Sequence, residues 1–156
     1  MDLLAAGVLD GDFTLSGRDI GIGILATLAY AAVGMALLVG GYVLLDKLTP
    51  GHLGTLIYTD SNVNAGRLTI GHLVSVTLVV ASAALTSQGG TFGALLDMAI
   101  FGVLALVLQG VSFKLLDRLT PGDLGSVVTA KETCPASLVT AVWAVAIGAV
   151  LAVAIV

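Results

Sequence analysis

Four stretches of this chain are too apolar for a water-soluble fold. Ile20 to Leu45 runs 26 residues without a charge, and Ala136 to Val156 runs 21. Leu68 to Thr86 covers 19 residues with His72 as its one ionisable group; Thr91 to Phe113 covers 23, interrupted by Asp97. A bilayer core needs about 20 apolar residues per helix, so each stretch is long enough to span. The segments between them hold 22, four and 22 residues. The expected architecture is an all-α integral membrane protein with four transmembrane helices, over about 20–48, 68–86, 91–119 and 136–156.

Composition agrees and excludes other classes. Charged residues make up 10% of the chain and hydrophobic ones 58%, against about 25% charged in soluble domains. Six Lys and Arg against ten Asp and Glu leave no basic footprint for nucleic acid. The single cysteine, Cys134, excludes an intrachain disulfide, and no Cys/His spacing resembles a metal site. The residues before the first span carry Asp2, Asp10, Asp12 and Asp19 but only Arg18. A cleaved signal has a basic start and a shorter apolar run, so this span is read as retained. Residues 1–19 are then an extracytoplasmic tail, in which Met1 to Leu9 is apolar enough to lie at the membrane interface.

Lys47, Arg67, Lys114, Arg118 and Lys131 all fall in or beside the two long connections, while Ser87-Gln88-Gly89-Gly90 has no charge. The positive-inside rule makes the long connections cytoplasmic. Both termini and the short turn then face outward.

Leu44-Leu45-Asp46-Lys47-Leu48-Thr49-Pro50-Gly51 recurs as Leu115-Leu116-Asp117-Arg118-Leu119-Thr120-Pro121-Gly122, offset by 71 residues. The register continues through Leu53 with Leu124 and Gly54 with Gly125. The chain reads as two two-helix repeats, 20–86 and 91–156. An even number of spans per unit gives both copies the same orientation, about an axis along the membrane normal. Thr-Pro-Gly ends a helix, because proline lacks the N–H donor and glycine permits the reversal. Asp46-Lys47 and Asp117-Arg118 fall at headgroup depth. Their expected roles are anchoring and topology, with a binding role for the paired turns as the alternative.

This duplicated Leu-Leu-Asp-Lys/Arg-Leu-Thr-Pro element between long apolar helices resembles the DUF350 (UPF0719) family of bacterial inner-membrane proteins. The resemblance covers nearly everything after about residue 18. It implies an Asn-x-Ala element opening the second helix of each repeat. Asn62-Val63-Asn64-Ala65 matches loosely, whereas the second copy reads Thr133-Cys134-Pro135-Ala136 and lacks the asparagine. The resemblance implies a multi-pass protein of the bacterial plasma membrane, in the company of membrane-stress proteins and ATP-grasp ligases. It supplies no settled biochemical activity.

Ionisable or polar groups inside spans are candidates for function. Asp97 lies about 9 Å into the third helix at 1.5 Å per residue, with no Lys or Arg at that depth. His72 and Gln109 fall near a common depth on the cytoplasmic half and are placed to hydrogen-bond if their helices touch. The repeat puts Trp143 opposite His72, and His52 in register with Asp123. Asp97 and Gln109 are 12 positions apart, about 120° around a helix, and so do not line one stripe. Small residues four apart, at Ala32, Ala36 and Gly40 and at Ala144, Gly148 and Ala152, suit close helix packing.

The sequence therefore predicts a self-associating structural or regulatory membrane protein, linked by the resemblance to membrane stress. It contacts the bilayer, forms a homo-oligomer and presents its loops to a cytoplasmic protein partner. The alternative is an oligomeric ion or proton channel, or small-solute transporter, with Asp97, His72 and Gln109 near the path. No catalytic set, cofactor cradle or metal cluster is expected.

Overall fold

The computed structural model describes residues 17–120 and 123–155. The tail through residue 16 (including Met1 to Leu9), the turn residues Pro121 and Gly122, and Val156 lie outside the described residues.

Four long helices carry the fold: α1 (Gly17–Leu48), α2 (Val63–Thr86), α3 (Gly90–Leu119) and α5 (Pro135–Ile155). All four are long and apolar enough to cross a membrane. Among the described residues there is no strand. Such a chain spans a bilayer as helices because each helix satisfies its own backbone groups where no water is available.

The long connections are partly helical. The first contains a five-residue π-helical turn, Thr55–Thr59, and the second a short helix, α4 (Leu124–Thr129). Helix α2 begins at Val63, five residues before the expected start. The cause is local: Asn62 Oδ1 accepts from the Ala65 N–H at 3.0 Å, an N-cap that draws Arg67 inside the helix.

Helix α1 stops at Leu48. Thr49 donates both its N–H, at 3.1 Å, and its hydroxyl, at 3.0 Å, to the Leu45 carbonyl. Pro50 follows, and Gly51 takes φ of 88°, a left-handed conformation open to glycine. Thr120 repeats both bonds on Leu116 O, at 3.0 and 2.8 Å.

Helix α2 is the centre of the bundle, touching α1, α3 and α5. Its tightest seam is with α5. A Cβ on Gly71 would sit 2.5 Å from the Ala141 carbonyl oxygen, and one on Gly148 would sit 2.7 Å from Ser75 Cα. Ser82 Oγ donates to Ala152 O at 2.7 Å across the same seam. The small-residue face of α5 is thus consumed within the chain. On α1, Ala32 and Ala36 stay exposed, while Gly40 faces Leu106.

Helix α1 buries only Leu37, Gly41 and Leu45, one stripe at four-residue spacing. Its first half, including Ile20, Ile24 and Leu28, is exposed, as a lipid-facing surface should be. At the opposite end from the short Ser87–Gly89 turn, Leu45, Leu53, Ala65, Leu68, Phe113 and Leu124 form one buried cluster. At 1.5 Å per residue, α1 and α3, with 32 and 30 residues, are about 48 and 45 Å long. That exceeds a hydrocarbon core of about 30 Å, so their loop ends reach into the interface or the helices tilt.

Gly71→Ala should lower stability by about 1–3 kcal/mol, because its new methyl meets backbone rather than a movable side chain. Gly21→Ala, with open space around it, should be neutral. Thermal unfolding of the two variants in one detergent checks the difference.

Candidate functional site

The loop-end turns are built alike. Asp46 Oδ1 accepts from the Leu53 N–H at 2.6 Å, and Asp117 Oδ1 accepts from the Leu124 N–H at 2.8 Å. In each, a carboxylate in the last helical turn clasps an amide seven residues on. A backbone N–H on a carboxylate is a charge-assisted bond, stronger than its neutral counterpart. The clasp delivers Leu53 and Leu124 into the core, where they are 0% and 2% exposed. The two turns also touch: a Cβ on Gly125 would lie 2.7 Å from Pro50 Cδ.

Asp46 and Asp117 therefore face inward on backbone, and Lys47 and Arg118 are left exposed. His52 does not meet Asp123. Its Nδ1 lies 3.8 Å from Asp46 Oδ2 on a surface where His52 is exposed. Asp123 instead accepts from Gly125 N at 3.1 Å, capping α4. A short-range backbone partner outcompeted the cross-turn pair.

The residues that hold the two halves of the loop end together are asparagines. Asn64, 1% exposed, makes four hydrogen bonds. Its Nδ2 donates to Ala130 O at 3.0 Å and Glu132 O at 2.7 Å. Its Oδ1 accepts from Cys134 N at 3.0 Å and Ser137 Oγ at 2.9 Å. Asn62 Nδ2 donates to Thr129 O and Ala130 O, at 2.7 and 3.1 Å. Sequence reasoning noted these asparagines only as a family element. Their role was signalled by two amides at the mouth of an apolar helix, which must find partners when buried.

Inside the spans, His72 and Gln109 come together but do not bond to each other. Gln109 Nε2 donates to Ser75 Oγ at 2.5 Å. Ser75 lies one turn along α2 from His72, so it offers an acceptor on the face that α3 packs against. His72 Nε2 and Gln109 Oε1 are buried with no hydrogen-bond partner among the described residues. Both line a cavity of about 10 Å³, with Ser112, Thr140 and Trp143 also in its wall. That is about the least space one water requires. Trp143, 71 positions on from His72, reaches the same cavity and donates its Nε1–H to Ser112 Oγ at 2.8 Å.

Asp97 is elsewhere. It is half-buried near the Gly90 end of α3, about 18 Å along the helix from Gln109. It makes no hydrogen bond or ion pair with a described residue. Among the described residues no three His, Cys, Asp or Glu side chains are grouped to hold a metal ion.

An all-helical chain with four spanning helices and a braced loop end is a multi-span membrane protein. The chain belongs to the DUF350 family, a domain of unknown function whose model matches residues 19–155. It is similar to a UPF0719 transmembrane protein of Mycolicibacterium paratuberculosis, 32% identical over 133 residues, covering 85% of this chain and 88% of that one. It is also 33% identical over 142 residues to a UPF0719 transmembrane protein of Mycobacterium bovis, covering 91% and 93%. A relative from Mycobacterium tuberculosis matches to the same extent. No solved structure matches the chain.

Asn64→Ala should cost about 1–3 kcal/mol, because it removes four bonds to the 130–137 segment and leaves the Cys134 N–H without its acceptor, while Ser137 Oγ keeps the Cys134 carbonyl. Asp46→Ala and Asp117→Ala should each cost about 1–2 kcal/mol, with much of the loss restored by Asn, which keeps an acceptor. Hydrogen exchange at the Leu53 and Leu124 amides, faster in the Ala variants, checks the clasp directly.

Proposed function

We propose that this DUF350 protein is a self-associating structural or regulatory component of the bacterial plasma membrane that presents its loop-end turns to a cytoplasmic partner. The observation that carries the reading is the contrast between the two regions. The loop end is fixed by two aspartate clasps and by the four bonds of Asn64. Within the spans, His72, Gln109, Ser112, Thr140 and Trp143 are packed around a cavity of about 10 Å³. A chain built this way holds a shaped surface at the membrane and offers no wide passage of its own. Lys47, Arg118, Lys114 and Lys131 are exposed at that surface, and their charge suits an acidic partner. On this reading no catalytic step is involved, and the two-helix units are parallel copies.

Self-association draws on the exposed half of α1 and on Asp97. A half-exposed carboxyl in a span is costly against lipid, and a second copy would cover it. The same residue favours a second reading, an oligomeric channel in which Asp97 lines a path between chains. Native mass spectrometry of the gently extracted protein separates the two. A stoichiometric cytoplasmic protein, lost in the Lys47→Ala/Arg118→Ala double variant, supports the platform. The aspartates are left intact in this test because they hold the turns. A closed ring of identical chains without a partner points to the channel, and Asp97→Asn should then change ion flux in liposomes while leaving the ring assembled.

The expected orientation places both termini outside. With Cys134 replaced by Ser, a cysteine introduced by Tyr58→Cys should react with an impermeant thiol reagent only after the cytoplasmic face is opened. One introduced by Gln88→Cys should react in intact cells. The reverse pattern would invert the assignment.

A further inference from the structure

The seam between α2 and α5 opens toward lipid as a groove of about 270 Å³. Its floor is the close approach of Gly71 to Ala141, and its walls include Ile70, Val74 and Val142. Arg67 lines the loop-end extremity of this groove and is its only charged wall residue. The larger groove of about 430 Å³ between α1, α2 and α3 contains Tyr30 and Thr77 but no charged side chain, so it distinguishes no headgroup.

Arg67 is half-buried and makes no ion pair or hydrogen bond with a described residue. It sits about 6 Å along α2 from Val63 and joins the groove wall, and a long basic side chain near the end of a span extends toward the interface. A guanidinium presents a planar fork of donors that matches a phosphate. Asn64, one turn earlier, directs its four hydrogen bonds to the 130–137 segment, leaving Arg67 its donors. From Arg67 to Val74 the groove runs about 10 Å, the length of the upper part of an acyl chain.

We infer that this groove is a binding site for one anionic phospholipid, with the phosphate on the Arg67 guanidinium and one acyl chain along Ile70, Val74 and Val142. A cation without a counter-ion among the described residues, closing one end of an otherwise apolar furrow, complements a phosphate attached to a chain. Basic pockets between spanning helices at the interface take anionic headgroups in this way. The site is independent of any protein partner.

The test is native mass spectrometry of the purified full chain in detergent, given equal amounts of phosphatidylglycerol and phosphatidylcholine. The wild type should retain one phosphatidylglycerol per chain with a preference of about fivefold, the worth of one basic group at the interface. Arg67→Gln should abolish the preference and Arg67→Lys should keep part of it. Val142→Phe, which fills the groove from its lipid-facing wall, should reduce retention of both lipids. Lys131→Gln, an exposed charge outside the groove, should change nothing. Three results would overturn the proposal: preference kept in Arg67→Gln, equal loss in Lys131→Gln (diffuse surface charge), or unchanged retention in Val142→Phe. If Arg67→Gln does not fold, the Val142→Phe and Lys131→Gln comparisons still decide the matter.

Discussion

Between α2 and α5 the backbones approach as closely as glycine allows, at Gly71 against Ala141 and at Gly148 against Ser75. In a bilayer the lipid tails are as apolar as leucine, so helices are held by packing and by hydrogen bonds rather than by escape from water. This seam brings Ser75 and His72 to the interior side of α2 and turns Ile70 and Val74 toward lipid. It also sets the distance at which Asn64 reaches the segment before α5. The buried core at the loop end, the small polar cavity and the groove closed by Arg67 all take their geometry from it.

The loop end solves a different problem. Two chain reversals next to a membrane leave amides that neither helix nor lipid satisfies. Asp46 and Asp117 accept such amides locally, Asn64 Oδ1 accepts the Cys134 N–H, and the Asn62 and Asn64 Nδ2 groups donate to carbonyls across the halves of the chain. These bonds make the connections part of the folded body. A carboxylate held on backbone is not available to a partner, so the duplicated Asp-Lys and Asp-Arg pairs divide their labour. The acid shapes the turn and the base faces outward.

The spans were legible because hydrophobic length is a direct consequence of bilayer thickness, and Thr49-Pro50 stopped α1 for the reason proline and glycine stop any helix. The start of α2 was less legible. Arg67 looked like the boundary of an apolar run, yet a capping Asn62 set the helix four residues upstream of it. The short helices in the connections were invisible to a search for long apolar runs. Among the site residues, the proximity of His72 and Gln109 followed from matched depth alone. The choice of Ser75 over His72 did not, since it depends on which rotamers the seam permits. Asn64 was the largest omission: its four partners are mostly backbone groups nearly 70 positions away, and no local pattern announces them.

Residues 71 positions apart are most informative where they differ. Asn64 aligns with Pro135, so the bridging side chain stands at the start of α2 alone, where its Nδ2 donates to the Glu132 carbonyl and its Oδ1 accepts from the Cys134 N–H. His72 aligns with Trp143, and the two meet at one cavity with different chemistry. Arg67 aligns with Leu138, and both border the same groove, one at its charged end and one on its apolar wall. At these places two positions 71 apart carry different chemistry, and two of the pairs border one cavity or one groove. Difference at the seam, with agreement at the turns, gives a single chain an interface that has two distinct sides, and a lipid-facing groove with one charged end.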